Sequence, residues 1–176
     1  MKRQTLGMLL AVAVVSAGLI AVGCSSTIDG HGIANNADVT AYRSSVASAS
    51  TSAAAAATAR MNTVCSTFFS AAIEASFKLD AVKKRADEHA PAEVALPTLT
   101  DAATALKSAG TKVADALTNT PVPADFKSAL TEYSQAATAF STQLTNLALG
   151  TSNEDAFMSA QTRYSNAKTA ALTACP

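Results

Sequence analysis

Three thiols and two imidazoles are the side chains of this 176-residue chain best suited to chemistry, and their placement limits what they can do. Cys24 follows a long apolar run and the small residues Ala21-Val22-Gly23, a position suited to processing of the chain rather than to catalysis. Cys65 and Cys175 remain as an even pair. Catalysis by serine and histidine needs a base beside the nucleophile. His31 sits in a Gly- and Asn-containing stretch and His89 at the end of a helical pattern, where an imidazole is favourably placed against the helix dipole. Asp87, Glu88, His89 and Glu93 are metal-ligand types, but adjacent residues of a helix point in different directions, so at most two converge. There is no Gly-rich phosphate loop, no CxxC pair and no HExxH motif. The chain is therefore expected to be non-enzymatic, with no metal and no cofactor.

The elements around these residues begin with the leader. Lys2 and Arg3 give a positive start, and Leu6 to Val22 is almost unbroken apolar sequence. At about 17 residues the run is at the lower limit for a bilayer span of roughly 20. Gly7 and Gly18 interrupt it, and Cys24-Ser25-Ser26-Thr27 follows in place of a basic stop-transfer cluster. Residues 1–23 are thus read as a secretory signal, with a transmembrane helix and a conventionally cleaved signal as alternatives. The 13 basic and 13 acidic residues balance. Loss of Lys2 and Arg3 leaves a slight acidic excess and no basic patch, which speaks against nucleic acid as a partner.

Residues 24–37 read as a flexible tether, with Gly30, Gly32 and paired Asn. Residues 38–63 are Ala-, Ser- and Thr-rich, favour helix, and offer few large side chains to bury, so they form a helix or stalk. From Ser44 to Thr58 the composition also allows an O-glycosylated stalk. From Val64 to Pro176 the period is helical. Val64, Phe68, Ala72, Ala75, Leu79, Val82 and Ala86 make a first stripe, widened by Phe69, Ile73 and Phe77, with Glu74–Lys78 and Asp80–Lys84 as expected ion pairs on its flank. Pro91 to Pro97 is expected to break the chain, with Thr98 or Thr100 capping a second helix weakened slightly by Gly110. Pro121-Val122-Pro123 introduces a third helix that Gly150 stops. Ser152 or Asn153 then caps a fourth, leading to Cys175.

Four helices with short connections alternate in direction, so the predicted fold is all-α, an antiparallel up-down four-helix bundle with an N-terminal Ala-rich helical extension. This topology brings the start of the first bundle helix beside the end of the fourth. Cys65 and Cys175 then meet at one end, which favours a disulfide over two free buried thiols. Phe68, Phe77, Phe126, Tyr133, Phe140 and Tyr164 fall at core spacing. Bulky rings opposite alanine faces also leave room for an apolar pocket, for which these six are the candidates.

The residues Ala21-Val22-Gly23-Cys24 resemble the lipobox of bacterial lipoproteins, with Ala21 where Leu, Val or Ile is usual. The resemblance implies a diacylglyceryl group on the Cys24 sulfur and cleavage that makes Cys24 the N-terminus. Together with the tether, the Ala/Thr-rich helices, the PVPADF run from Pro121 to Phe126 and the closing cysteine, the chain resembles small lipoproteins of actinobacteria, mycobacterial ones especially. It implies a protein on the extracytoplasmic face of the cell membrane, anchored through Cys24. The expected role is presentation of a disulfide-clipped bundle to an unknown envelope protein or lipid, with an alternative as carrier or sensor of a lipid or other apolar small molecule held between the helices.

Overall fold

A computed structural model describes residues 36–175. The signal, Cys24 and the tether with His31 lie outside the described residues. The fold is an all-α up-down four-helix bundle: α1 (Asn36–Asp87), α2 (Ala92–Thr118), α3 (Ala124–Ala148) and α4 (Glu154–Ala174).

α1 is one continuous helix of 52 residues, so the Ala-rich segment and the first bundle helix are a single element. At ~1.5 Å per residue it is roughly 78 Å long. Its two halves differ in what they bury. From Tyr42 to Arg60 only Ala57 is even half-buried, whereas from Val64 onward Val64, Phe68, Ala72 and Ala75 are fully enclosed. High alanine propensity carries the first half, and burial of the apolar stripe carries the second. No helix among the described residues is long and apolar enough to cross a membrane.

Helices α1 and α3 end in the same way. The N–H groups of His89 and Ala90 donate back to Ala86 and Arg85, and those of Gly150 and Thr151 to Leu147 and Asn146. Each is a Schellman closure with a left-handed residue, Gly150 at φ 70° and His89 at φ 50°. α2 starts earlier than expected. Pro91 is its N-cap and its carbonyl accepts from Val94 and Ala95, so Pro97 lies inside the helix and not before it. The missing donor of Pro97 leaves unsatisfied only a carbonyl in the exposed first turn, which water can serve. Thr98 and Thr100 cap nothing: their hydroxyls donate to Val94 and Leu96 one turn back. Asn153 caps α4, accepting from the Ala156 N–H at 3.0 Å.

Small residues set the spacing of α2 and α3. The Ser134 hydroxyl donates to the Gly110 carbonyl at 2.8 Å and the Ser141 hydroxyl to the Ala103 carbonyl at 2.6 Å, both buried. Gly110 is thus a contact point and not merely a weak helical residue. The expected pairs Glu74–Lys78 and Asp80–Lys84 do not form. Glu74 pairs with Lys112 and Lys78 with Asp101, because α2 lies alongside α1 and presents opposite charges across the seam, while Lys84 reaches Glu88 one turn on at the end of α1. These exposed pairs fix little stability.

The Cys65–Cys175 disulfide joins α1 to the end of α4, with Cα atoms 5.6 Å apart across 110 residues of sequence. Beyond this clip the two helices separate. α1 with α2, α2 with α3 and α3 with α4 pack closely, while α1 and α4 do not approach to the same extent.

Candidate functional site: an apolar cleft between α1 and α4

The divergence of α1 and α4 opens a cleft with two lobes. The lobe nearer the disulfide, about 240 Å³, lies among Phe69, Ala72, Ile73, Phe77 and Leu172. The farther lobe, about 450 Å³, lies among Leu79, Val82, Phe140, Leu144, Phe157 and Tyr164. It falls within the usual size of small-molecule sites, ~300–1,000 Å³. Asp80 and Lys168 border both lobes, and Lys83 borders the larger. The Lys168 ammonium reaches across from α4 and donates to the Ser76 hydroxyl of α1 at 2.7 Å, a polar waist between the lobes.

An aromatic column supports the floor. Phe68 meets Tyr133 edge-on at 4.8 Å between centroids; Tyr133 lies 5.9 Å from Tyr164, Tyr164 5.6 Å from Phe140, and Phe140 5.5 Å from Phe157. These contacts run from α1 through α3 to α4 and hold the rings of Phe140 and Tyr164 at the base of the larger lobe. The hydroxyls of Tyr133 and Tyr164 are buried and neither makes a hydrogen bond of good geometry within the described residues. Burial raises both phenols above their ordinary value, strongly for Tyr133, where the nearby Tyr164 adds to the shift.

Of the six pocket candidates, Phe140 and Tyr164 line the larger lobe and Phe77 the smaller. Phe68 and Tyr133 lie beneath them in the core, and Phe126, although buried, borders neither lobe. Ile73 and Phe77 do not belong to the core: they are 56% and 70% exposed. They stand on the α1 flank that faces the gap, where α4 is too far away to cover them. The sequence pattern missed Lys168, Ser76 and Phe157 as site residues. Phe157 belonged to a visible stripe, but Lys168 and Ser76 are 92 residues apart and only topology joins them.

A wider, shallow depression of about 710 Å³ lies on the outer face of α3 and α4, beside Glu132 and Arg163. Its cation is already satisfied: Arg163 grips Glu132 through two bonds of 2.7 and 3.1 Å, which lowers the carboxyl pKa. The hollow at His89, about 320 Å³, is bordered by alanines, Val82, Leu99, Leu147 and Arg85, with no hydroxyl or thiol nucleophile. Among the described residues no three His, Cys, Asp or Glu side chains converge as metal ligands; Glu88 is engaged by Arg85 at 3.1 Å. The apolar cleft with one charged crossing is the arrangement best suited to hold another molecule.

Comparison with curated proteins and with solved structures gives no match. A family model described as the Rv2240c four-helix bundle domain matches residues 47–176, from the middle of the exposed half of α1 through the closing cysteine. The chain belongs to the Rv2240c four-helix bundle family.

Proposed function

We propose that this protein is a lipid-anchored, extracytoplasmic binding module without enzymatic activity, held at the membrane through Cys24, that receives an apolar ligand in the cleft between α1 and α4. The observation that carries the reading is the cleft itself: a 450 Å³ lobe floored by Phe140 and Tyr164 on a bundle clipped at one end by a disulfide. Export and anchoring rest on the leader and on the Ala21–Cys24 motif, and the disulfide accords with an oxidising compartment. The exposed half of α1 would hold the cleft tens of ångströms from the anchor.

A second reading is docking of an envelope protein across the exposed strip of Ile73, Phe77 and Leu172. Native mass spectrometry of the full-length protein, purified gently from its own membranes, separates the two. Cleavage before Cys24 with added acyl chains and two fewer hydrogens is the expected covalent mass, and an unmodified cysteine refutes the anchor. A non-covalent adduct of small mass, weakened by Phe140→Leu and indifferent to Phe77→Ser, supports the ligand reading. A protein partner lost with Phe77→Ser replaces that reading with docking.

A further inference from the structure

Among the described residues four long cations cross from one helix to another, and three of them end on carboxylates: Lys78 on Asp101, Lys112 on Glu74 and Arg163 on Glu132. Lys168 is the exception. It is half-buried, it crosses the apolar cleft, and it ends on the neutral hydroxyl of Ser76 at 2.7 Å. No carboxylate of the described residues lies within ion-pair distance of it, although Asp80 borders the same lobes and Lys83 borders the larger one. The Ser76 hydroxyl gives its own proton to the Ala72 carbonyl at 2.8 Å, so the donor the cleft offers is the uncompensated Lys168 ammonium, at the edge of a lobe walled by Leu79, Leu144, Phe140 and Phe157. A charge withdrawn from water in this way is favourable when an anion joins it.

We infer that Lys168, positioned by Ser76, is a headgroup site, and that the ligand class of the cleft is a single-chain amphiphile with a carboxylate head, a long-chain fatty acid. The carboxylate accepts from the Lys168 ammonium, which the Ser76 oxygen steadies, and the chain runs into the larger lobe away from the disulfide. With Lys168 and Lys83 against Asp80, the border carries one net positive charge, which suits a monoanion better than a doubly charged phosphate. This inference rests on the cleft being a ligand site, and it adds the identity of the head.

The test uses the full-length protein in a non-ionic detergent, titrated with sodium palmitate or with hexadecanol, its uncharged counterpart. Occupancy is read by native mass spectrometry. Palmitate is expected to bind more tightly than hexadecanol by roughly tenfold to a hundredfold, the value of one charge-assisted hydrogen bond in a half-buried site. Lys168→Met abolishes the difference, Lys168→Arg retains most of it, and Asp80→Asn strengthens palmitate binding, a gain that misfolding cannot produce. Equal binding of both probes with no response to Lys168→Met overturns the headgroup site and leaves the apolar cleft standing. Binding of neither probe overturns both.

Discussion

Replacing Gly110 by alanine sets helix propensity against packing, and the structure decides the sign. In an exposed helix the change would stabilise by ~1 kcal/mol. Here a Cβ on residue 110 falls 2.7 Å from the Ser134 carbonyl oxygen and 2.7 Å from Thr138 Oγ1. Thr138 can rotate away, but the Ser134 carbonyl belongs to the α3 backbone. Ordinary contact begins near 3.4 Å, so that carbonyl must retreat by about 0.7 Å. The retreat stretches the buried Ser134 bond to the Gly110 carbonyl and loosens the Ser141 bond to Ala103, together ~1–2 kcal/mol. Overpacking adds ~1–3 kcal/mol. The propensity gain is outweighed, and Gly110→Ala is expected to destabilise by ~1–4 kcal/mol. Urea unfolding of the oxidised protein followed by far-UV circular dichroism measures this. The same substitution in a Ser134→Ala background should cost less, because the bond it strains is already gone. A Gly110→Ala protein more stable than the parent by the full propensity difference would mean that α2 and α3 are not this close.

Reduction of the disulfide, or Cys65→Ser with Cys175→Ser, should lower stability by up to ~5 kcal/mol in the chain-entropy account for a loop of this size, read as a shift in the urea midpoint with and without reductant. The paired helix ends predict opposite signs. His89→Gly relieves a left-handed non-glycine residue and should stabilise by ~1 kcal/mol, whereas Gly150→Ala should destabilise by a similar amount although its Cβ meets nothing. Thermal unfolding of the two variants checks the pair. Both core tyrosines have phenol pKa values raised by folding, so their contribution is intact below the ordinary phenol value of ~10 and is lost as pH rises above it. Stability measured up to strongly alkaline pH should fall in that window, and less steeply in Tyr133→Phe.

The helical stripes were legible because apolar side chains three and four residues apart must share a face, and the bundle topology followed from the short connections between them. The disulfide followed from the same topology, since alternation brings Cys65 and Cys175 to one end. Less legible was what depends on the distance between helices. Gly110 reads as a flaw in a helix until α3 is seen to sit on it, and Glu74 and Lys78 read as partners until α2 supplies Lys112 and Asp101. Ile73 and Phe77 continue an apolar stripe that a closely packed neighbour would have covered, yet α4 diverges and leaves them at the mouth of a cleft. The Lys168 to Ser76 crossing had no local signature at all. Pro97 misled because a proline early in a helix spoils only one bond, and that bond lies where water can replace it.

Because the disulfide joins α1 to the residue that follows α4, residues 65–175 form a closed covalent ring that contains all three interhelical connections. A protease that cuts once at the His89 turn, at Asn119–Pro123 or at Gly150 opens the ring and releases nothing. Both fragments stay bonded to the exposed half of α1 that precedes Cys65. Loss of a segment of the bundle then needs two cuts in the ring or one cut with reduction, and release of the whole bundle needs a cut in α1 before Cys65. That last stretch is rich in alanine, serine and threonine and offers a trypsin-like enzyme few basic targets, Arg43 and Arg60. The ring thus gives the molecule a tolerance to nicking that its modest, alanine-rich core would not provide by stability alone.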